Sequence, residues 1–154
     1  MTIHEAGIQL ARLDFEIAVR EGGARTVTPR VDGRSLVELV AAFERERGFW
    51  TTGAAYGGLI PAYFRYGPLD RYFMADPDCW TPTWLLGCSC GEVGCWPLEC
   101  RVVVTDATVT WEEVHQPHRP EWGSYEGFGP FVFERAQYEA AVRELAAEFG
   151  GEAE

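Results

Sequence analysis

Three thiols and two imidazoles are the side chains best suited to chemistry in this chain. Cys88, Cys90 and Cys95 lie in the stretch LLGCSCGEVGCWPL, residues 85–98, with Gly87, Gly91 and Gly94 between them. Glycine tolerates sharp turns, so three sulfurs spaced this way can converge on one point. Converging thiolates suit zinc, which takes four nitrogen or sulfur ligands in a tetrahedron. The spacing is C-x-C-x4-C and departs from the C-x2-C knuckle of zinc ribbons, so a fourth ligand must come from elsewhere. His115 and His118 are the main candidates, with Cys100 a third. A hairpin over residues 98–115 would return the chain to its starting end and bring His115 toward Cys95. Cys100 shares a strand face with valines and is expected in the core, while isolated Cys79 is expected to pack. Three readings stay open for the cluster: small buried thiols in a tight loop, a structural zinc site, and a redox-active or disulfide-forming pair.

Other constellations carry less. Residues 87–91, GCSCG, match the G-x-S-x-G nucleophile elbow, but that elbow needs a helix directly after its serine, and Gly91, Gly94 and Pro97 oppose one. His115, His118, Arg119 and Trp122 suggest a surface pocket, because arginine stacks on tryptophan and binds anions. Asp76 and Asp78 flank Pro77 as a turn. Glu112 and Glu113 are strand neighbours and should point to opposite faces, which excludes a catalytic dyad.

Absences narrow the function further. The chain has no lysine and no asparagine, which removes a Walker A loop, a Schiff-base lysine, a serine–lysine pair and a Cys-His-Asn triad. Thirteen basic residues stand against 24 acidic ones, a formal net charge of −11. A field of that sign repels phosphate backbones and anionic lipid, and it favours a basic protein as partner. Five cysteines gathered between residues 79 and 100 do not resemble a spread disulfide framework, and no run is apolar enough to span a membrane. The expectation is a reduced, cytoplasmic protein without nucleic acid or membrane as partner.

The elements that must position these groups can be read in order. Residues 13–20, LDFEIAVR, alternate as a half-buried strand with Phe15, Ile17 and Val19 inward, and residues 26–31 return beside it. Ser35 and Glu38 have capping-box spacing ahead of a helical stripe, Leu36, Leu39, Val40 and Phe43, that ends near Gly48. Residues 48–62 read as a long loop, and residues 62–74 as a helix that Gly67-Pro68 kinks or divides. Residues 98–105 and 108–115 form a hairpin, 131–133 a short strand, and 135–149 an amphipathic helix with Tyr138, Ala141, Val142 and Leu145 inward. This order predicts an α+β fold, an antiparallel sheet with two to three helices packed mainly on one face. The whole reads as one domain over residues 1–150, followed by an acidic tail at 151–154.

The segments GCSCGEVGCWPL, VTWEEVHQPHRPEW and YEGFGPFVFERAQYEAAV resemble a group of small, functionally unassigned bacterial proteins. That resemblance covers residues 85–145 and, more weakly, VDGRSLVELV. It implies a bacterial cytosolic protein and transfers no catalytic residue. With no acid–base dyad, phosphate loop or triad, the residues point away from an enzyme. They favour an interaction module with a structural zinc, ahead of a thiol-dependent redox enzyme and an acidic immunity-like inhibitor. The charge makes one expectation testable: the protein should not shift duplex DNA at physiological salt, and salt-sensitive sub-micromolar binding would show a local basic patch overriding the net field.

Overall fold

A computed structural model describes residues 2–3, 9–49, 56–88 and 96–150. After a short ladder between β1 (Thr2–Ile3) and β2 (Gln9–Leu10), the chain enters β3 (Leu13–Val19). β3 pairs antiparallel with β4 (Arg25–Val31), and β4 with the short β5 (Arg34–Ser35). The turn glycines Gly22 and Gly23 sit at positive φ, where residues with a Cβ are disfavoured. Opposite Phe15 stands Pro29, which has no N–H to give. The position tolerates it, because the odd-numbered residues of β4 turn their main-chain groups away from β3: Val27 exchanges both bonds with Leu59, at 2.8 and 2.9 Å.

Ser35 caps α1 (Leu36–Arg47) as its sequence suggests, accepting from the Val37 N–H at 3.2 Å, and Gly48 closes the helix in the left-handed conformation. The segment read as a loop holds more structure than its glycines imply, with β6 (Tyr56–Gly57) pairing with the end of the next strand. The expected helix over 62–74 is divided, as Gly67-Pro68 demanded. A 3-10 turn (Pro61–Tyr63) and the one-turn α2 (Leu69–Tyr72) flank Gly67, whose φ of 101° no helix accepts.

Next comes β7 (Thr83–Cys88), then β8 (Leu98–Val104), β9 (Thr108–His115) and β10 (Phe131–Glu134), in a five-stranded antiparallel sheet ordered β10-β9-β8-β7-β6. α3 (Arg135–Phe149) follows at once and buries Tyr138, Ala141, Val142, Leu145 and Phe149. The protein is therefore an α+β fold with antiparallel sheets. Two single-residue bridges join the ladders, Val27 to Leu59 and Ala11 to Phe133, so the strands curl around a common core. Within that core the Trp111 indole donates to the Tyr138 hydroxyl at 2.9 Å, and Tyr138 donates to the Phe73 carbonyl at 2.5 Å.

One expectation about burial and one about side-chain direction are overturned. Val19 is 70% exposed, and Phe15 and Ile17 are only half-buried, because β3 is an outer strand with a neighbour on one side alone. Glu112 and Glu113 do not oppose each other either. The register runs from Arg101↔Glu112 to Glu99↔His115, two residues on β8 against three on β9, so β9 bulges. Glu113 takes φ 53° at the bulge, and both carboxylates then reach Arg101, at 3.6 and 3.4 Å.

Replacing Ser35 with alanine should cost about 1 kcal/mol, the usual value of an N-cap, read as a lower urea midpoint at unchanged slope.

Candidate functional site

Of the five residues nominated as metal ligands, Cys90 and Cys95 lie outside the described residues. Cys88 is buried at the end of β7, two residues beyond the Leu86↔Leu98 pair and opposite Tyr56 on β6. β9 runs parallel to β7 on the far side of β8, so the Gln116–His118 turn leaves the sheet at the same end as Cys88. The fold thus brings the stems of the cysteine segment and His118 to one edge.

His115 stands slightly apart from that edge, and the bulge explains why. One extra residue in β9 sets His115 opposite Glu99, where Nε2 meets the Glu99 carboxylate at 3.2 Å and Nδ1 meets the Glu113 carbonyl at 2.8 Å. Both ring nitrogens therefore face oxygen. The exposed His118 ring makes no hydrogen bond among the described residues, although its main-chain N–H donates to Gln116 Oε1 at 2.9 Å. Cys100 lies in the core as expected, and burial pushes its thiol far above the ordinary range. Cys79 is buried against Gly67, where a Cβ would fall 2.7 Å from its sulfur. Among the described residues no group of three histidine, cysteine or carboxylate side chains converges on a metal position.

Of His115, His118 and Arg119, expected with Trp122 to build a surface pocket, only His115 lines a cleft there. A cleft of about 650 Å³ is lined by Glu113, His115, Gln116, Pro120, Tyr125 and Glu126, and Arg119 stacks over Trp96 at 5.2 Å.

Behind this cleft runs a buried polar chain that no motif announces. Glu44 is fully buried on the inner face of α1, and Tyr125 donates to its Oε2 at 2.6 Å. The Tyr125 and Tyr56 hydroxyls share a bond at 2.9 Å, Gln116 Nε2 donates to Tyr56 at 3.1 Å, and the same amide donates to the Trp96 carbonyl at 2.7 Å. Desolvation raises Glu44 above its usual range, an effect the bond from Tyr125 partly offsets, and desolvation pushes Tyr56 up to about 12. Oε1 of Glu44 has no hydrogen-bond partner among the described residues. The chain ties α1 to Tyr56, the residue opposite Cys88, and to Trp96, so it holds both stems of the cysteine segment. A trace of it was present in the sequence: Leu36, Val40 and Glu44 follow i, i+4 spacing, which puts the carboxylate on the buried stripe.

A second concave surface lies elsewhere, between β3 and α3. This groove of about 760 Å³ has the size of a ligand cleft, roughly 300–1,000 Å³. Phe15 and Ile17 line one wall, Ala140, Ala141 and Leu145 the other, with Glu144 and Glu148 along the helix. Gln137 closes one end, accepting from the Leu13 N–H at 2.9 Å and donating to the Leu13 carbonyl at 2.6 Å. Near the other end Arg25 donates to the Glu148 carbonyl at 3.0 Å and lies over the Phe149 ring.

No protein-family model matches the chain, and neither does any curated protein sequence or solved structure. No helix among the described residues is long and apolar enough to cross a membrane.

Because burial raises Glu44, its protonated form favours the fold. That contribution is complete below the ordinary value of 4.5 and is lost as pH rises through the raised one. Glu44→Gln keeps the shape of the neutral acid without the charge. In urea unfolding at a series of pH values, the variant should lose less stability than the parent as pH climbs from 4.5.

Proposed function

We propose that the protein is a non-enzymatic interaction module whose docking surface is the groove between β3 and α3. The observation that carries this reading is the apolar wall of Phe15, Ile17, Ala140, Ala141 and Leu145 facing an open space of ligand size. Glu44, Tyr56, Tyr125 and Gln116 of the polar chain are buried, and Cys100 is locked in the core, so neither supplies an exposed nucleophile or acid. A photo-crosslinking residue at Ala140 should trap a discrete partner in the native host. The same residue at Arg101, on an exposed strand face, should trap none. Equal labelling at both positions, or none at Ala140, would sink the reading.

A structural zinc at the cysteine segment is a second proposal. It is supported by Cys88 and His118 lying at one edge of the sheet, with His118 the better-placed fourth ligand because the His115 nitrogens are engaged by Glu99 and Glu113. Residues of this kind bind zinc as thiolates and neutral imidazole. Protein purified without added metal should then carry one zinc per chain, by elemental analysis. Cys90→Ser and His118→Ala should each lower that occupancy, and Cys79→Ser should leave it intact.

A further inference from the structure

We propose that the occupant of the β3–α3 groove is an extended segment of another protein that adds to the outer edge of β3 as a new strand, alternating apolar and basic side chains. This rests on reading the groove as the docking surface and names what fills it.

The direction of the β3 main chain carries the argument. The Asp32 N–H donates to the Arg12 carbonyl at 2.9 Å and the Arg20 N–H to the Ala24 carbonyl at 2.8 Å, so the even-numbered residues at both ends of β3 face β4. In an antiparallel ladder the alternate residues must face outward. Leu13 does so, since its N–H and carbonyl both meet Gln137. Phe15, Ile17 and Val19 follow with the same parity, and no described residue pairs with their outward main-chain groups. They form a row at two-residue intervals, the repeat an added strand would match.

Gln137 shows that the edge accepts an amide. Its carboxamide gives Leu13 one donor and one acceptor, which is what a peptide unit would give Phe15 and Ile17. It also ends the row, so an incoming strand would be registered from Phe15 onward.

Charge selects the partner. The even-numbered face of β3 carries Asp14 and Glu16, and the helix side of the groove adds Glu144 and Glu148. Arg30 pairs with Asp14, Arg12 lies at the closed end and Arg25 near the other, so between them Glu16, Glu144 and Glu148 leave the open stretch beside Phe15 and Ile17 acidic. A second copy of the chain would bring another −11 to the same edge. Unguarded edges invite pairing, and β3 has neither an interior proline nor a bulge to prevent it, only carboxylates. Those carboxylates repel an identical strand and attract a basic one. Alternation follows from the pleat: one face of the added strand meets Ala140, Ala141 and Leu145, the other continues the Asp14 and Glu16 face.

The test uses the full chain and a synthetic peptide as long as β3 that alternates valine and lysine, followed by titration and amide exchange. The expected result is saturable binding that slows exchange at the Phe15 and Ile17 N–H groups. A peptide N-methylated on every edge-facing amide should bind about tenfold weaker or worse, since several hydrogen bonds are lost. A valine–glutamate peptide should not bind. Ile17→Pro removes an outward N–H that the fold does not use, so the folded variant should lose about tenfold in affinity. Should that variant unfold, the N-methylated peptide still decides the matter. Binding indifferent to N-methylation overturns strand addition while leaving the groove as a docking surface. Failure of the valine–lysine peptide to bind, alongside crosslinking at Ala140, overturns the partner chemistry and spares the module reading. Absence of both defeats both. Protection of Phe15 and Ile17 that grows with protein concentration alone would assign the edge to a second copy and overturn the proposal.

Discussion

The fold turns on a closure made by one residue. Ala11 donates to the Val132 carbonyl at 2.7 Å and bridges Phe133, which joins the last strand of the five-stranded sheet to the chain just before β3. At the opposite side Val27 and Leu59 make the second join. Between these two points the strands wrap a shared core. Beyond Ala11, however, β3 leaves β10 and the hydrogen-bonded seam stops. α3 begins directly after β10 and runs beside β3, and its apolar stripe closes the core that the sheet leaves open. The half-burial of Phe15 and Ile17, the exposure of Val19 and the groove all follow from a sheet that curls almost far enough to close.

The opposite end of the molecule is governed by a different constraint. Glu44 cannot be solvated where α1 puts it, and an unpaired buried carboxylate is expensive. Tyr125, Tyr56 and Gln116 answer that cost with a chain of bonds reaching the residues that flank the cysteine segment. Positioning those stems and satisfying Glu44 are therefore one structural task. Substitutions that look confined to the helix will be felt near Cys88 and Trp96.

Much of this architecture was legible, for identifiable reasons. α1 and α3 announce themselves by a cap and a helical stripe, and the β8–β9 hairpin by alternation around Asp106-Ala107. β7 was missed because Thr83, Trp84, Leu85 and Leu86 are all buried, and a strand covered on both faces has no period-two pattern. Alternation correctly predicted that Phe15, Ile17 and Val19 share a face. It could not say how much of that face would be covered, which depends on a partner strand. The bulge at Glu113 is a backbone event at positive φ in a residue that seldom adopts it, so no side-chain pattern signalled it. Of the candidate site, the cysteine spacing was visible, but the buried chain was hidden because a glutamate on an apolar stripe is easily read as a solvated charge.

The polar chain also has a polarity. Gln116 Nε2 has only hydrogens to offer, and its orientation is pinned by main chain at both ends of the amide, the Trp96 carbonyl and the His118 N–H. Tyr56 accepts from that amide and shares a bond with the Tyr125 hydroxyl, which donates to Oε2 of Glu44. The two oxygens of the Glu44 carboxyl are thereby chemically distinct. Oε2 receives a donor, and Oε1 has no hydrogen-bond partner among the described residues.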